Sequence, residues 1–170
     1  MRLIGFENSD LKVSKIDSLG ELQELRTSGV IDLILDENIE APDSYFLLQS
    51  TEQNIRIGIA SVSSGQNSGI INLENKNLVY NDQCWFLFDS EGKLISQADC
   101  EGVIYEVVPD KSGFIIIHEI GAIRFSLDGK ILWKINSCLV EDYRVEKDNL
   151  VLFSGGIADF FNKENGKKFG

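Results

Sequence analysis

Phe125-Ser126-Leu127-Asp128-Gly129-Lys130-Ile131-Leu132-Trp133 joins two apolar runs through an acidic, glycine-containing turn. Its Gly-Lys pair recurs at Gly92-Lys93 and at Gly166-Lys167, two successive intervals of 37 residues, each time after an aromatic strand. Asp-Gly at 128–129 is the dipeptide that supplies the positive φ angles of a tight hairpin. A period of this length marks arrays in which one small sheet cannot bury its own faces and stacks on the next copy.

Working outward, the middle copy divides into four strands: Leu94 to Gln97, Val103 to Val108, Gly113 to His118 and Ala122 to Ser126. Breaks at 99–102, 109–112 and 120–121 carry turn-forming residues. The following copy reads Ile131 to Ile135, Tyr143 to Glu146, Leu150 to Phe153 and Ile157 to Phe161, with a final turn one residue longer. The preceding copy reads Ile55 to Val62, Gly69 to Leu73, Leu78 to Tyr80 and Trp85 to Phe88. Each Gly-Lys hairpin opens a new unit, so the copies span 55–92, 93–129 and 130–170 within a single domain of 170 residues. Residues 1–54 differ. Asp17 or Ser18 caps a short amphipathic helix carrying Leu19, Leu22 and Leu25 and stopped by Ser28-Gly29, with strands at Leu3 to Phe6, Leu11 to Ile16, Val30 to Leu35 and Tyr45 to Gln49. This segment is a degenerate first unit or a cap on the sheet edge.

The stretch 125–133 resembles the blade signature of quinoprotein-type β-propellers, in which Gly-Lys-x-x-Trp begins a strand and the Trp docks between blades. Phe161 to Phe169 is a weaker version with Phe169 in the Trp position, and Ser96 holds that position after Gly92-Lys93. The resemblance implies blade-like sheets over residues 55–170. The residues that hold the quinone in those enzymes find no counterpart, so no cofactor is expected. The fold class is therefore all-β and mostly antiparallel with one short N-terminal helix: a propeller-like stack of four-stranded meanders, or else a two-sheet sandwich. An array this short needs a cap or a second copy of itself, which leaves a homodimer open.

Sixteen Lys and Arg stand against 27 Asp and Glu, a formal charge of −11. Such a field repels nucleic acid and anionic membrane and speeds encounter with a basic partner. The N-terminal sequence shows no basic leader with an apolar core, and no apolar run approaches the ~20 residues of a membrane span, so a cytoplasmic location is expected. Cys84, Cys100 and Cys138 lack CxxC spacing; Cys100 and Cys138 recur after the Gly-Lys pair and read as packing positions. No metal is expected from one histidine and scattered thiols. His118 lacks a nucleophile motif beside it and reads as structural or merely exposed. Asp89, Glu91, Asp128 and Glu164 read as turn chemistry rather than as a calcium loop.

Charge is uneven along the chain. Residues 1–53 hold eleven acids and four bases, and residues 54–170 hold 16 acids and 12 bases. Asp32, Asp36, Glu37, Glu40 and Asp43 form a run with no base between them, and Tyr45 follows as a candidate aromatic anchor beside Trp85. A second set, Glu141, Asp142, Glu146 and Asp148, is diluted by Arg144 and Lys147. The expected function is a non-enzymatic acidic binding protein that occludes a basic protein partner. In size, charge and lack of catalytic residues the chain resembles bacterial immunity proteins, which implies a cognate nuclease-type toxin as that partner. The alternatives are a propeller-type interaction scaffold or sensor, and a hydrolase using paired carboxylates such as Glu119 and Asp128.

Overall fold

The computed structural model describes residues 12–36, 40–50, 55–61 and 67–169. Among these residues it is almost wholly antiparallel β with one helix, arranged as four small sheets stacked face on face. Four sheets exclude the two-sheet sandwich. The expected strand at Leu3 to Phe6 lies outside the described residues.

The first sheet is the irregular one. Strands β1 (Lys12–Ile16), β2 (Leu33–Leu35), β3 (Ser44–Ser50) and β4 (Ile55–Ser61) lie in the order β1-β3-β4-β2, with β2 parallel to β4. Helix α1 (Leu19–Thr27) starts at Ser18, whose hydroxyl accepts from the Glu21 amide, and ends at Ser28 before Gly29 at φ 77°. Its Leu22 is fully buried against Ile16, Ile31, Ile34 and Leu47 on the outer face of this sheet. Gly58 makes that approach close: a Cβ there would lie 3.0 Å from both Leu22 and Ile31 side chains. The N-terminal segment is thus a degenerate sheet and a cap at once.

The next two sheets are regular meanders. One holds β5 (Ser68–Leu73), β6 (Lys76–Asn81), β7 (Cys84–Asp89) and β8 (Leu94–Asp99); the other holds β9 (Ile104–Asp110), β10 (Gly113–His118), β11 (Gly121–Ser126) and β12 (Ile131–Asn136). The fourth sheet contains β13 (Asp142–Val145), β14 (Asn149–Ser154) and β15 (Ile157–Asn162), and an isolated Phe161–Lys168 bridge occupies the next strand position.

These boundaries correct the expected unit frame. The Gly-Lys hairpins join β7 to β8 and β11 to β12 inside one sheet, and the chain passes between sheets at 100–103 and 137–141. The strand at Ile55 belongs to the first sheet, not to the unit that follows. Turn geometry differs too. Gly92, Gly129 and Gly166 have φ of 80°, 79° and 68°, whereas Asp128 is not among the positive-φ residues. Each is the single left-handed residue of its turn, and the ladder shifts register beside the first two, at Leu87/Phe88 and Arg124/Phe125. Asp89 Oδ1 accepts from the Glu91 and Lys93 amides, and Asn162 Oδ1 from those of Glu164 and Asn165, which is the expected turn chemistry.

Period-two alternation builds the core between sheets. On β7, Trp85 and Leu87 face the third sheet while Phe86 and Phe88 face the first. On β10, Phe114 and Ile116 face the second sheet, and Ile115 and Ile117 face the fourth. Side chains then fasten neighbours at the turns. Gly129 leaves no room for a Cβ, which would lie 2.5 Å from Ser96, and a Cβ on Gly166 would lie 2.9 Å from the Trp133 ring. The Trp133 indole donates to the Lys163 carbonyl at 3.0 Å, so this Trp does dock between adjacent sheets. Cys100 is buried in the core, but Cys138 is exposed, because the second crossover places Val140 inside instead.

Candidate functional site

Strand direction gives the stack two chemically unlike ends. At one end lie the hairpins, where acids alternate with bases: Asp128 pairs with Lys130 at 2.8 Å, and Lys93, Lys111, Lys163 and Lys167 sit in or beside the other turns. At the opposite end lie the crossovers between sheets and the β6–β7 and β10–β11 turns. There Glu40, Asp43, Asp99, Glu101 and Glu141 are exposed, and Asp36 and Glu119 are half-buried. Lys134 reaches that end from β12 and is held by Glu101 at 2.7 Å.

Backbone hydrogen bonds tie the described crossovers at this end to neighbouring turns. The Cys100 amide donates to Gln83, that of Ile104 to Asp82, and those of Ser137 and Val140 to Ile120 and Glu119. The crossover of one sheet is thereby laid across the turn of the sheet before or beside it. Buried Asp82 adds its Oδ1 as acceptor for the Asn67 amide.

The described members of the expected acidic run do not share one surface. Asp32 sits at the hairpin end, bonded to Arg56 at 2.7 Å. Asp36, at φ 54°, turns toward the second sheet, where it meets Cys84 and Asp99. Burial pushes the Asp36 carboxyl up from its ordinary value, the Cys84 thiol pulls it partly back, and Asp99 adds to the rise. The Cys84 thiol is itself pushed up, by burial first and then by those carboxylates, so it stays protonated. Glu37 lies outside the described residues. Glu40 and Asp43 remain exposed at the crossover end, and Tyr45 is half-buried beside α1. Trp85 is fully buried in the core.

Asp99, Glu101, Glu119 and Glu141 complete this end, and sequence spacing did not single them out as one group. The signal that finds them is position: each lies at the crossover end of its sheet. Glu119 and Asp128, the candidate carboxylate pair, sit at opposite ends of β11, on the order of 20 Å apart at the rise of a strand. Paired glycosidase carboxylates lie within about 10 Å. Among the described residues no group of three or more His, Cys, Asp and Glu could hold a metal ion.

His118 closes β10 beneath this acidic end. It is 0% exposed, and neither ring nitrogen has a hydrogen-bond partner among the described residues. Burial, and after it the Lys134 ammonium, holds its pKa below 6.5, with Glu101 and Glu119 opposing. The sign follows from linkage: the unfolded chain takes up a proton near pH 6.5 that the folded chain refuses, so stability falls as pH drops through that value. Thermal unfolding from pH 7.5 to 5.5 will show a falling Tm, and His118→Gln will flatten the slope. An unchanged slope in the variant assigns the pH dependence elsewhere.

No protein-family model and no curated protein sequence matches the chain. Solved structures do. BamB from Moraxella catarrhalis superposes with a TM-score of 0.53 at 12% identity, covering 74% of this chain and 46% of that one. The fold is propeller-like. HIRA(644–1017) is similar at a TM-score of 0.47 and 12% identity over 74% of this chain and 43% of its own. The WD40 domain of Neurospora crassa Pan2 follows at 0.44 and 9% over 74% and 45%. The chain therefore spans less than half the length of each, and the likeness is one of blades. No helix among the described residues is long and apolar enough to cross a membrane.

Proposed function

We propose that this chain is a protein-interaction module of propeller type that receives a basic partner at its acidic crossover end. The observation that carries the reading is the segregation of charge among the described residues: acids outnumber bases at the crossover end, where Lys134 pairs with Glu101, and charge alternates at the hairpin end, on a hydrogen-bonded frame. Contacts fall on Glu40, Asp43, Asp99 and Glu141, with Asp36 and Glu119 behind them. Asp32 and Tyr45 belong to other surfaces and drop out of this contact set. The quinoprotein-type origin of the blades is a finer proposal, supported by the docking of Trp133 against Gly166 and Lys163.

A narrower reading is kept because the formal charge is −11: a cytoplasmic immunity protein that covers the basic substrate face of a nuclease-type toxin. A nuclease holds its substrate with positive charge, so an acidic surface is steered there and competes with phosphate. Affinity capture from the native lysate supplies the partner for both readings. With that partner, the variant carrying Glu40→Gln, Asp43→Asn, Asp99→Asn and Glu141→Gln will associate at least about tenfold more slowly, and its rate will vary less with salt. Equal rates remove the acidic end as the site. Co-expression then separates the readings, because only an immunity protein abolishes its partner's toxicity.

A further inference from the structure

His118 ends β10 on the face of Ile116, turned toward the second sheet. Its neighbours across the ladder are Gly121 on β11, which has no side chain, and Ile104 on β9, which has an apolar one. Both ring nitrogens are left without a partner in a residue that is 0% exposed. Buried polar groups are nearly always bonded, so the exception calls for a reason. The 100–103 crossover passes beside it. The Glu119 amide donates to the Val103 carbonyl at 2.9 Å, a Cβ on Gly102 would lie 2.8 Å from the Glu119 Cβ, and Glu101 holds Lys134 of β12 at 2.7 Å. The β9 ladder shifts register between Ile117 and His118, so the strand is least regular where the crossover joins it.

We infer that His118 is a proton-sensitive latch: protonation of its ring releases the 100–103 crossover and draws Glu101 off Lys134, while the four sheets stay folded. A neutral imidazole offers one donor and one acceptor, whereas an imidazolium offers two donors and a charge. Nothing bonded to the ring in the closed form meets that demand. The charged groups acting on it are Lys134 from β12, Glu101 from the crossover and Glu119 from the β10–β11 turn. From the second sheet, Cys100 stays protonated, its thiol pushed up to about 12 by burial first, and Asp82 is bonded to the Asn67 amide. Both glutamates favour the charged ring, but only Glu101 sits on the segment that joins the sheets, and its exposed pair with Lys134 costs little to break. Opening a four-residue crossover exposes far less surface than unfolding a sheet, so the protonated chain yields here first.

His118 is the only histidine, so its ring gives one isolated proton signal. Between about pH 7.5 and 5 that signal will titrate while the protein stays folded. Over the same range the Cys100, Ile104 and Glu119 amides, which bond Gln83, Asp82 and Val103, will exchange at least about tenfold faster relative to their intrinsic rates, and those at the centres of β10 and β11 will keep their protection. Lys134→Gln will move the ring's titration to higher pH, because the opposing ammonium is gone; Glu101→Gln will move it to lower pH. These opposite shifts test the latch without touching His118. Gly102→Ala, whose methyl forces the crossover off Glu119, will speed exchange at the same three amides already at neutral pH. A ring that stays neutral in the folded chain across this range overturns the inference, as do protection lost evenly over the sheets, the same local loss in His118→Gln, or shifts of one direction in both charge variants. No readout uses a partner, so the latch and the proposed function stand or fall apart.

Discussion

Trp85→Ala will lower the free energy of unfolding by about 3–5 kcal/mol, the range for deleting a large aromatic from a core. Trp85 is fully buried on β7 between the second and third sheets, edge-on to Phe114 at 5.4 Å and to Phe125 at 4.7 Å between ring centroids. A Cβ on Gly129, in the turn of the third sheet, would lie 3.3 Å from the far edge of its ring. Truncation therefore empties the joint between two sheets at its core and at its turn, where the backbone has little freedom to collapse. Trp85→Phe supplies the contrast. The indole N–H has no acceptor among the described residues, so Phe gives up volume but also removes an unsatisfied donor worth about 1–3 kcal/mol. Urea unfolding, followed by circular dichroism, will give a much lower midpoint for the Ala variant and a smaller change for Phe, at similar m-values. Equal losses would show that ring contacts do not dominate.

Arg124→Met comes next, with an expected loss of about 3 kcal/mol, the low end of what breaking a buried ion pair costs. The guanidinium, 6% exposed, bonds Asp110 at 2.7 Å and Ser112 at 2.8 Å in the turn after β9. Its other arm reaches the Lys163 and Glu164 carbonyls of the fourth sheet, both at 2.9 Å. Removing it leaves Asp110, at 25% exposure, without its cation, and takes a donor from the Glu164 carbonyl, while the Lys163 carbonyl keeps the Trp133 indole. A double-mutant cycle with Asp110→Asn will show a coupling of about 1–3 kcal/mol. Additive losses would mean that Arg124 acts through packing of its stem alone. Lys76 makes the corresponding link between the second and third sheets, donating to the Leu127 carbonyl at 2.6 Å.

Much of this was legible in the sequence. Alternation located the strands of the regular sheets, Ser18 and Ser28-Gly29 located the helix ends, and the recurring Gly-Lys pair exposed the repeat. Its phase was not legible, because hairpin and crossover are both short polar segments and only pairing tells which one leaves the sheet. The parallel contact of β2 with β4 escaped for a related reason: it depends on α1 folding back over the sheet, which local pattern does not encode. The acidic run was legible as charge but not as a surface. A single left-handed residue at Asp36 turns that side chain toward Cys84, and Arg56, 24 residues downstream of Asp32, neutralises the start of the run. The acidic end emerges only when strand direction is known, since its members come from five separate loops and strand ends.

The fold rests on sheets that pack face to face with the repeat turns seated on their neighbours. The most direct measurement is the nuclear Overhauser contact between the Gly166 α-protons and the Trp133 indole, 33 residues apart in sequence, together with that from Gly129 to Trp85 and Ser96. Both sets are expected, with the Gly166 α-protons moved upfield by the Trp133 ring, from which a Cβ on Gly166 would lie only 2.9 Å. Their absence in a folded sample, or Gly166 α-protons at ordinary shifts, would contradict the stack.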